Sequence, residues 1–280
     1  MVTLRDYDRE MVEAARSVLL ELMRVLGAYR RHIAVIGGWV PKLLLPEGAE
    51  LHGLPHAGSM DIDLAINHKT ASKAEYESIK HLLTDAGYYQ KQAERRPSRY
   101  YRDVDIGGRS LSIGVDLLAG ELEGTARGHR HQRVQDVLAR KLRCGDLAFV
   151  DPRTVALEGR LPGGARCSAQ IPVASLGACL VLKGLAIADR LKEKDYYDVH
   201  FCVRNAEGGA EALAQEMRPL LADARVREGL AALREAFRTV DSLGPVSIAK
   251  WFLEEDAEAR ALLQRDAHER VSRLLDLLGA

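Results

Sequence analysis

Two aspartates one residue apart open the alternating run Asp61-Ile62-Asp63-Leu64-Ala65-Ile66. A strand throws alternate side chains to one face, so both carboxylates point the same way, roughly 7 Å apart along the backbone. Ile62 and Leu64 then face a core. Like charges held together repel unless a cation lies between them, and for carboxylate oxygens the usual cation is Mg²⁺. A second alternating stretch, Leu111 to Ala119, carries Asp116 late in its run. Asp116 completes a trio if its strand lies beside the first; otherwise it is a plain strand end. Three carboxylates are enough for two Mg²⁺ ions about 4 Å apart, which activate an attacking hydroxyl and stabilise a leaving pyrophosphate. Asp116 is also placed to help deprotonate that hydroxyl. Upstream, the apolar run Ile33 to Ile36 ends in Gly37-Gly38, whose missing side chains let backbone amides approach a phosphate. Ser59, two residues before Asp61, offers a hydroxyl to the terminal phosphates of a nucleoside triphosphate, and reads nearly as well as an ordinary turn serine.

A second constellation lies at 182–198. Lys183 and Arg190 are seven residues apart and share a helix face; Asp195 and Asp198 are three apart and share a face of the next helix, with Asp195 as its N-cap. Taken alone, this reads as an interhelical salt-bridge network. His52 and His56, in a Gly/Pro-rich loop, read as solvated, and His129-Arg130-His131 as surface. Arginines crowd the segments 95–109 and 127–143 (Arg95, Arg96, Arg99, Arg102, then Arg127, Arg130, Arg133, Arg140). Such clusters are usually solvated faces; beside an acidic metal site they could hold a triphosphate or an RNA backbone. No Gly-x4-Gly-Lys-Ser/Thr is present, which excludes a P-loop ATPase.

The elements that must position these residues follow from periodicity. Residues 7–27 repeat apolar positions at helical spacing (Met11, Ala14, Ala15, Val18, Leu19, Leu22, Met23), with Gly27 as the C-cap. A strand over 32–36, a short helix ended by Pro46, and a loop over 46–58 lead to the Asp-x-Asp strand. A helix over 69–86, mixed strand and loop over 88–105, and a hairpin over 154–174 follow. From Ser175 the pattern is helical, broken at Gly208-Gly209 and Gly244-Pro245. The expected domains are 1–150, a catalytic core with an N-terminal helix, and 151–280, a hairpin plus a mainly helical C-terminal domain.

Composition excludes some partners. Lys plus Arg and Asp plus Glu both number 40, so no net charge draws the chain to nucleic acid. The four cysteines are scattered without metal spacing and read as buried thiols in a reducing compartment. The polar N-terminus is unlike a secretory signal, and Lys183 interrupts the longest apolar stretch, so the expectation is a cytoplasmic protein with no membrane span.

Strand, Gly-Gly, helix, then a strand carrying Asp-x-Asp resembles the nucleotidyltransferase superfamily that includes DNA polymerase beta. Gly37-Gly38-Trp39, Ser59-x-Asp61-x-Asp63 and then Lys183-x6-Arg190-x3-Lys194-Asp195-x-x-Asp198 narrow the resemblance to the AbiEii family of nucleotidyltransferase toxins. That resemblance implies an α+β fold, a polymerase beta-like core of mixed sheet and flanking helices followed by a helical C-terminal domain. It implies that Asp61 and Asp63 bind Mg²⁺, that Lys183 contacts nucleotide phosphates, and that Asp198 is required for activity. It further implies transfer of a nucleotide from an NTP to an RNA, in some members the tRNA 3′ end, or to a protein acceptor, and restraint by an antitoxin partner. Two readings stand beside it. One is a small-molecule nucleotidyltransferase of the aminoglycoside-modifying kind; the other is a catalytically idle member used as a binding module.

Overall fold

The computed structural model describes residues 3–71, 78–121 and 130–280. Part of the helix expected over 69–86, together with Arg127 and His129, lies outside them. The chain forms two compact units of interleaved sequence: a sheet unit of Asp8–Val40 and Gly58–Ser175, and a helical unit of Met1–Tyr7, Pro41–Ala57 and Leu176–Ala280.

The first helix, α1 (Arg9–Val25), starts at Asp8, whose carboxylate accepts a hydrogen bond from the Glu10 amide. It buries Ala14, Ala15, Val18, Leu19, Leu22 and Met23, the stripe that the spacing predicts. Its C-cap is Leu26; Gly27 instead begins a 3₁₀ turn. After β1 (Ile33–Ile36) and α2 (Trp39–Leu44), two short strands, β2 (Glu50–Leu51) and β3 (Leu54–Pro55), pair with each other inside the helical unit. The sheet unit continues with β4 (Ile62–Ile66), α3 (His68–Ala71), α4 (Ile79–Asp85), β5 (Arg99–Ile106), β6 (Arg109–Gly120), β7 (His131–Val134), β8 (Val137–Leu142), β9 (Arg153–Arg160) and β10 (Arg166–Val173).

One mixed sheet takes up eight of these strands, in the order β7-β8-β6-β4-β1-β10-β9, with β5 pairing the first part of β6. The pairs β4–β6, β6–β8 and β1–β10 are parallel and the others antiparallel. Strand β4 is central, and Ile62, Leu64, Ala65 and Ile66 are all buried. An interior strand covered on both faces reads as a near-continuous apolar run. Asp63 is its single polar interruption.

The expected hairpin is present as β9–β10. It belongs to the sheet unit, because β10 pairs in parallel with β1 through Val35 and Val173. A boundary at 150/151 therefore does not describe the units, and residues 41–57 sit with the C-terminal helices. Those helices are α5 (Leu176–Asp189), α6 (Glu193–Asn205), α7 (Gly209–Met217), α8 (Ala224–Ala236), α9 (Leu243–Phe252) and α10 (Ala257–Leu278). Gly208-Gly209 does separate two helices. Gly244-Pro245 lies within the first turn of α9, where the missing proline amide is no loss. Among the described residues no helix is long and apolar enough to cross a membrane.

Candidate active site

The sheet unit gathers its carboxylates at the start of β4, beside the interior of β6. In the parallel register of β4 and β6, Asp63 stands opposite Asp116. Asp61 directly precedes β4, and its backbone carbonyl accepts a 3.0 Å hydrogen bond from the Trp39 indole Nε1. Trp39 is fully buried, so this bond ties the loop before β4 to the core. Gly37, at φ +72°, lies against Asp63: a Cβ there would sit 2.5 Å from Asp63 Oδ2. A side chain at 37 would therefore meet both backbone strain and a carboxylate. Gly38 is buried beside it. Ser59 is half-buried in the loop that enters β4.

A cation already bridges two of the three carboxylates. Arg99, opposite Asp116 on β5, donates from Nη1 to Asp116 Oδ2 at 2.5 Å and from Nη2 to Asp61 Oδ1 at 2.6 Å. Its Nε donates to the Tyr101 hydroxyl at 3.0 Å. That hydroxyl in turn donates to Glu94, and Lys91 lies over the Tyr101 ring. Gly114 on β6 gives the guanidinium its place, since a Cβ there would land on it. The Arg99 side chain is 12% exposed. Burial works against its charge, but Asp61 and Asp116 outweigh burial and raise its pKa above the ordinary arginine value. Among the described residues no three His, Cys, Asp or Glu side chains stand gathered as a preformed metal site. The donor set nevertheless suits a hard divalent ion, being carboxylates only, and Arg99 serves as a stand-in cation on two of them.

The sequence marks Arg99 only as one member of a basic cluster. The signal for it is Gly114, two residues before Asp116 in a run otherwise suited to a strand. A glycine there marks close approach by something else.

The helical unit holds the second constellation as a closed ion network. Lys183 on α5 places Nζ 2.6 Å from both Asp195 Oδ1 and Asp198 Oδ2. Lys194 Nζ lies 2.7 Å from Asp198 Oδ1, and the Arg190 Nε, just beyond α5, donates to Asp195 Oδ2 at 3.0 Å. Asp198 is completely buried. Burial alone would raise its pKa, but Lys183 and Lys194 hold it well below the ordinary carboxylate range. Lys183 also meets the cost of burial, which Asp198 and Asp195 more than offset, so its pKa is raised. Asp195 is not the N-cap of α6; Lys192 is, and Asp195 lies inside the first turn with its carboxylate turned to Lys183.

His56 is another correction. It is buried rather than solvated, with Nε2 3.0 Å from Asp198 Oδ1 and its ring stacked on Tyr197. Burial drives its pKa down to about 4, so the ring is neutral at pH 7. Tyr197 accepts a hydrogen bond from the Ala57 amide, which fixes the segment carrying His56 against α6. His52, by contrast, is exposed and pairs with Glu254 at 2.7 Å. A Gly/Pro-rich segment looks solvated from its composition; here the stacked aromatic face of α6 overrides that.

The mixed sheet with its flanking helices is a nucleotidyltransferase fold. A family model described as nucleotidyl transferase AbiEii toxin, Type IV TA system, matches residues 51–280, and the chain belongs to this family. The match takes in Asp61, Asp63, Asp116, Lys183 and Asp198 and begins beyond Gly37-Gly38. No curated protein matches the chain.

Proposed function

We propose that this protein transfers a nucleoside monophosphate from an NTP to an RNA, with the tRNA 3′ end as one candidate acceptor, or to a protein, as the toxin of a type IV toxin–antitoxin pair. The observation that carries this is the Asp63–Asp116 register with Asp61 directly before β4, which puts three acidic residues together where β4 starts beside β6. Family membership supports the reading and supports an antitoxin as partner. Asp61, Asp63 and Asp116 would hold two Mg²⁺ ions, which would supply charge neutralisation for the triphosphate. In the reaction an acceptor oxygen bonds to the α-phosphorus, the bond from that phosphorus to the β-phosphate bridging oxygen breaks, and pyrophosphate leaves. Asp116 takes the hydroxyl proton. The Gly37-Gly38 turn and Ser59 are assigned to the phosphates of the NTP. In the helical unit, Lys183 and Arg190 are assigned to nucleotide binding, with Asp198 fixing Lys183.

The test is label transfer from each of the four α-³²P NTPs, with Mg²⁺, into total RNA and total protein. Label in a tRNA-sized band, or in protein, is the expected result. Asp63→Asn should reduce it at least about a hundredfold, the scale of losing several kcal/mol of charge stabilisation. An Asp63→Asn variant with full activity would sink the assignment. Label in neither pool, despite bound nucleotide, would move the acceptor to the small-molecule class.

A further inference from the structure

We propose that Arg99 is the built-in counter-ion of this site and that a divalent cation must displace it, so that arginine and metal occupy the carboxylates alternately. The inference rests on the reading of Asp61, Asp63 and Asp116 as a metal site. Three features of the sheet unit carry it.

The first is the bridge itself. One guanidinium reaches two carboxylates from different elements, Asp61 before β4 and Asp116 on β6, at 2.6 and 2.5 Å. A planar fork with several fixed donors suits such a bridge, whereas a lysine ammonium is a single point charge. The second is that Arg99 is held there on purpose of sequence. The hydroxyl of Tyr101, two residues on along the same strand face, accepts a hydrogen bond from its Nε and donates one to the Glu94 carboxylate. Gly114 clears the space through which the guanidinium passes. A merely solvated surface arginine has none of these supports, and this one is largely buried. The third is the consequence for a metal. With Arg99 bridging, no three acidic side chains stand gathered for a metal ion among the described residues. The guanidinium already engages Asp61 Oδ1 and Asp116 Oδ2, so a divalent ion on those oxygens requires the Arg99 contacts to break.

The geometry makes Arg99 a positioning residue, acting through the carboxylates. In the metal-free chain it relieves their mutual repulsion and keeps β4, β5 and β6 in register at that end. Once a divalent ion takes over the neutralisation, the guanidinium is released. Metal affinity of the free protein is then the difference between two cations competing for one anionic site.

The experiment is Mn²⁺ binding to the full chain without nucleotide, read from the electron paramagnetic resonance signal of free Mn²⁺, with thermal melts in parallel. Arg99→Gln should tighten Mn²⁺ binding by about tenfold or more, the factor that ~1.4 kcal/mol of removed competition gives. The same variant should melt lower than wild type without metal and recover with saturating Mn²⁺. Arg99→Lys should fall between the two. Gly114→Ala gives a second route: its Cβ displaces the guanidinium while leaving every charge in place, and it should shift Mn²⁺ affinity in the same direction. Equal Mn²⁺ affinity in wild type, Arg99→Gln and Gly114→Ala, with Asp63→Asn abolishing it in all, would overturn the displacement while leaving the metal site standing. No Mn²⁺ bound by wild type or either variant at millimolar concentration would overturn both.

Discussion

Asp198 accepts hydrogen bonds from the Lys183 and Lys194 ammonium groups and from His56, all in the buried interior of the helical unit. Removing one partner from such a network leaves an uncompensated buried charge, which costs about 3–5 kcal/mol. Asp198→Asn should therefore lower the unfolding free energy measured in urea melts by that amount, and Lys183→Met should act similarly through Asp195 and Asp198. An activity loss in either variant reports catalysis only if it persists where the variant is still folded. His56 gives the network a pH signature. Its ordinary pKa of 6.5 falls to about 4 on folding, so between those values the unfolded chain holds a proton that the folded chain lacks. Stability then rises with pH across that window and is lost as pH falls through it, by about 3 kcal/mol in total for this one group. The groups facing the ring are Asp198, Lys194, Lys183 and the Tyr197 ring. His56→Gln keeps an N–H donor toward Asp198 and removes the titration. Denaturant melts at pH 4.5 and 7 should differ less in that variant than in wild type; an unchanged difference would count against the assignment.

At the scale of elements, β4 has two functions at once. Its apolar positions fill the centre of the sheet unit, and its register with β6 sets Asp63 against Asp116. Ile62, between the two aspartates, is completely buried. Ile62→Ala should lower stability by about 2–5 kcal/mol, the range for truncating a buried aliphatic side chain. Because β4 also carries the proposed site, the proposed transfer activity should fall in the same variant even below its melting temperature. Asp63→Asn should separate the two functions, losing activity while its melt stays near that of wild type. β6 is the complementary case. Its twelve residues pair with β5 along the first part and with β4 and β8 along the last, so one strand delivers both Gly114 and Asp116 beside the start of β4.

At the scale of the molecule, both units are built from separated stretches of chain, which passes between them at 7/8, 40/41, 57/58 and 175/176. The helical unit therefore does not end where its helices begin. Tyr7 packs edge-on against Trp251, and His56 closes the network around Asp198. A fragment spanning 176–280 keeps every long helix of the helical unit and lacks these segments. It should show helical far-UV circular dichroism without the near-UV signal and sharp melt of the full chain; a cooperative melt like that of the intact protein would show that residues 3–7 and 41–57 are dispensable. The even balance of 40 basic and 40 acidic residues means that any RNA contact must come from local clusters and not from overall charge.

The local elements were legible in the sequence because they rest on short-range periodicity. Alternation exposed β4 and β6, the spacing of Ala14 to Met23 exposed α1, and the turn Leu161-Pro162-Gly163-Gly164 marked the β9–β10 hairpin. Gly37-Gly38-Trp39, Ser59-x-Asp61-x-Asp63 and the Lys183–Asp198 block carry the family resemblance in the chain alone. Tertiary structure decided what neutralises each of those charges. Arg99 reaches Asp61 and Asp116 only because β5 pairs with β6 in one register and Gly114 leaves room. His56 reaches Asp198 only because Tyr197 and Phe201 offer it a ring-lined place on α6. The joining of β10 to β1, which moves the hairpin into the sheet unit, is likewise a pairing between distant segments. Periodicity records which face of an element is buried; it carries no record of which remote side chain arrives there, because that depends on register and on space left by other residues.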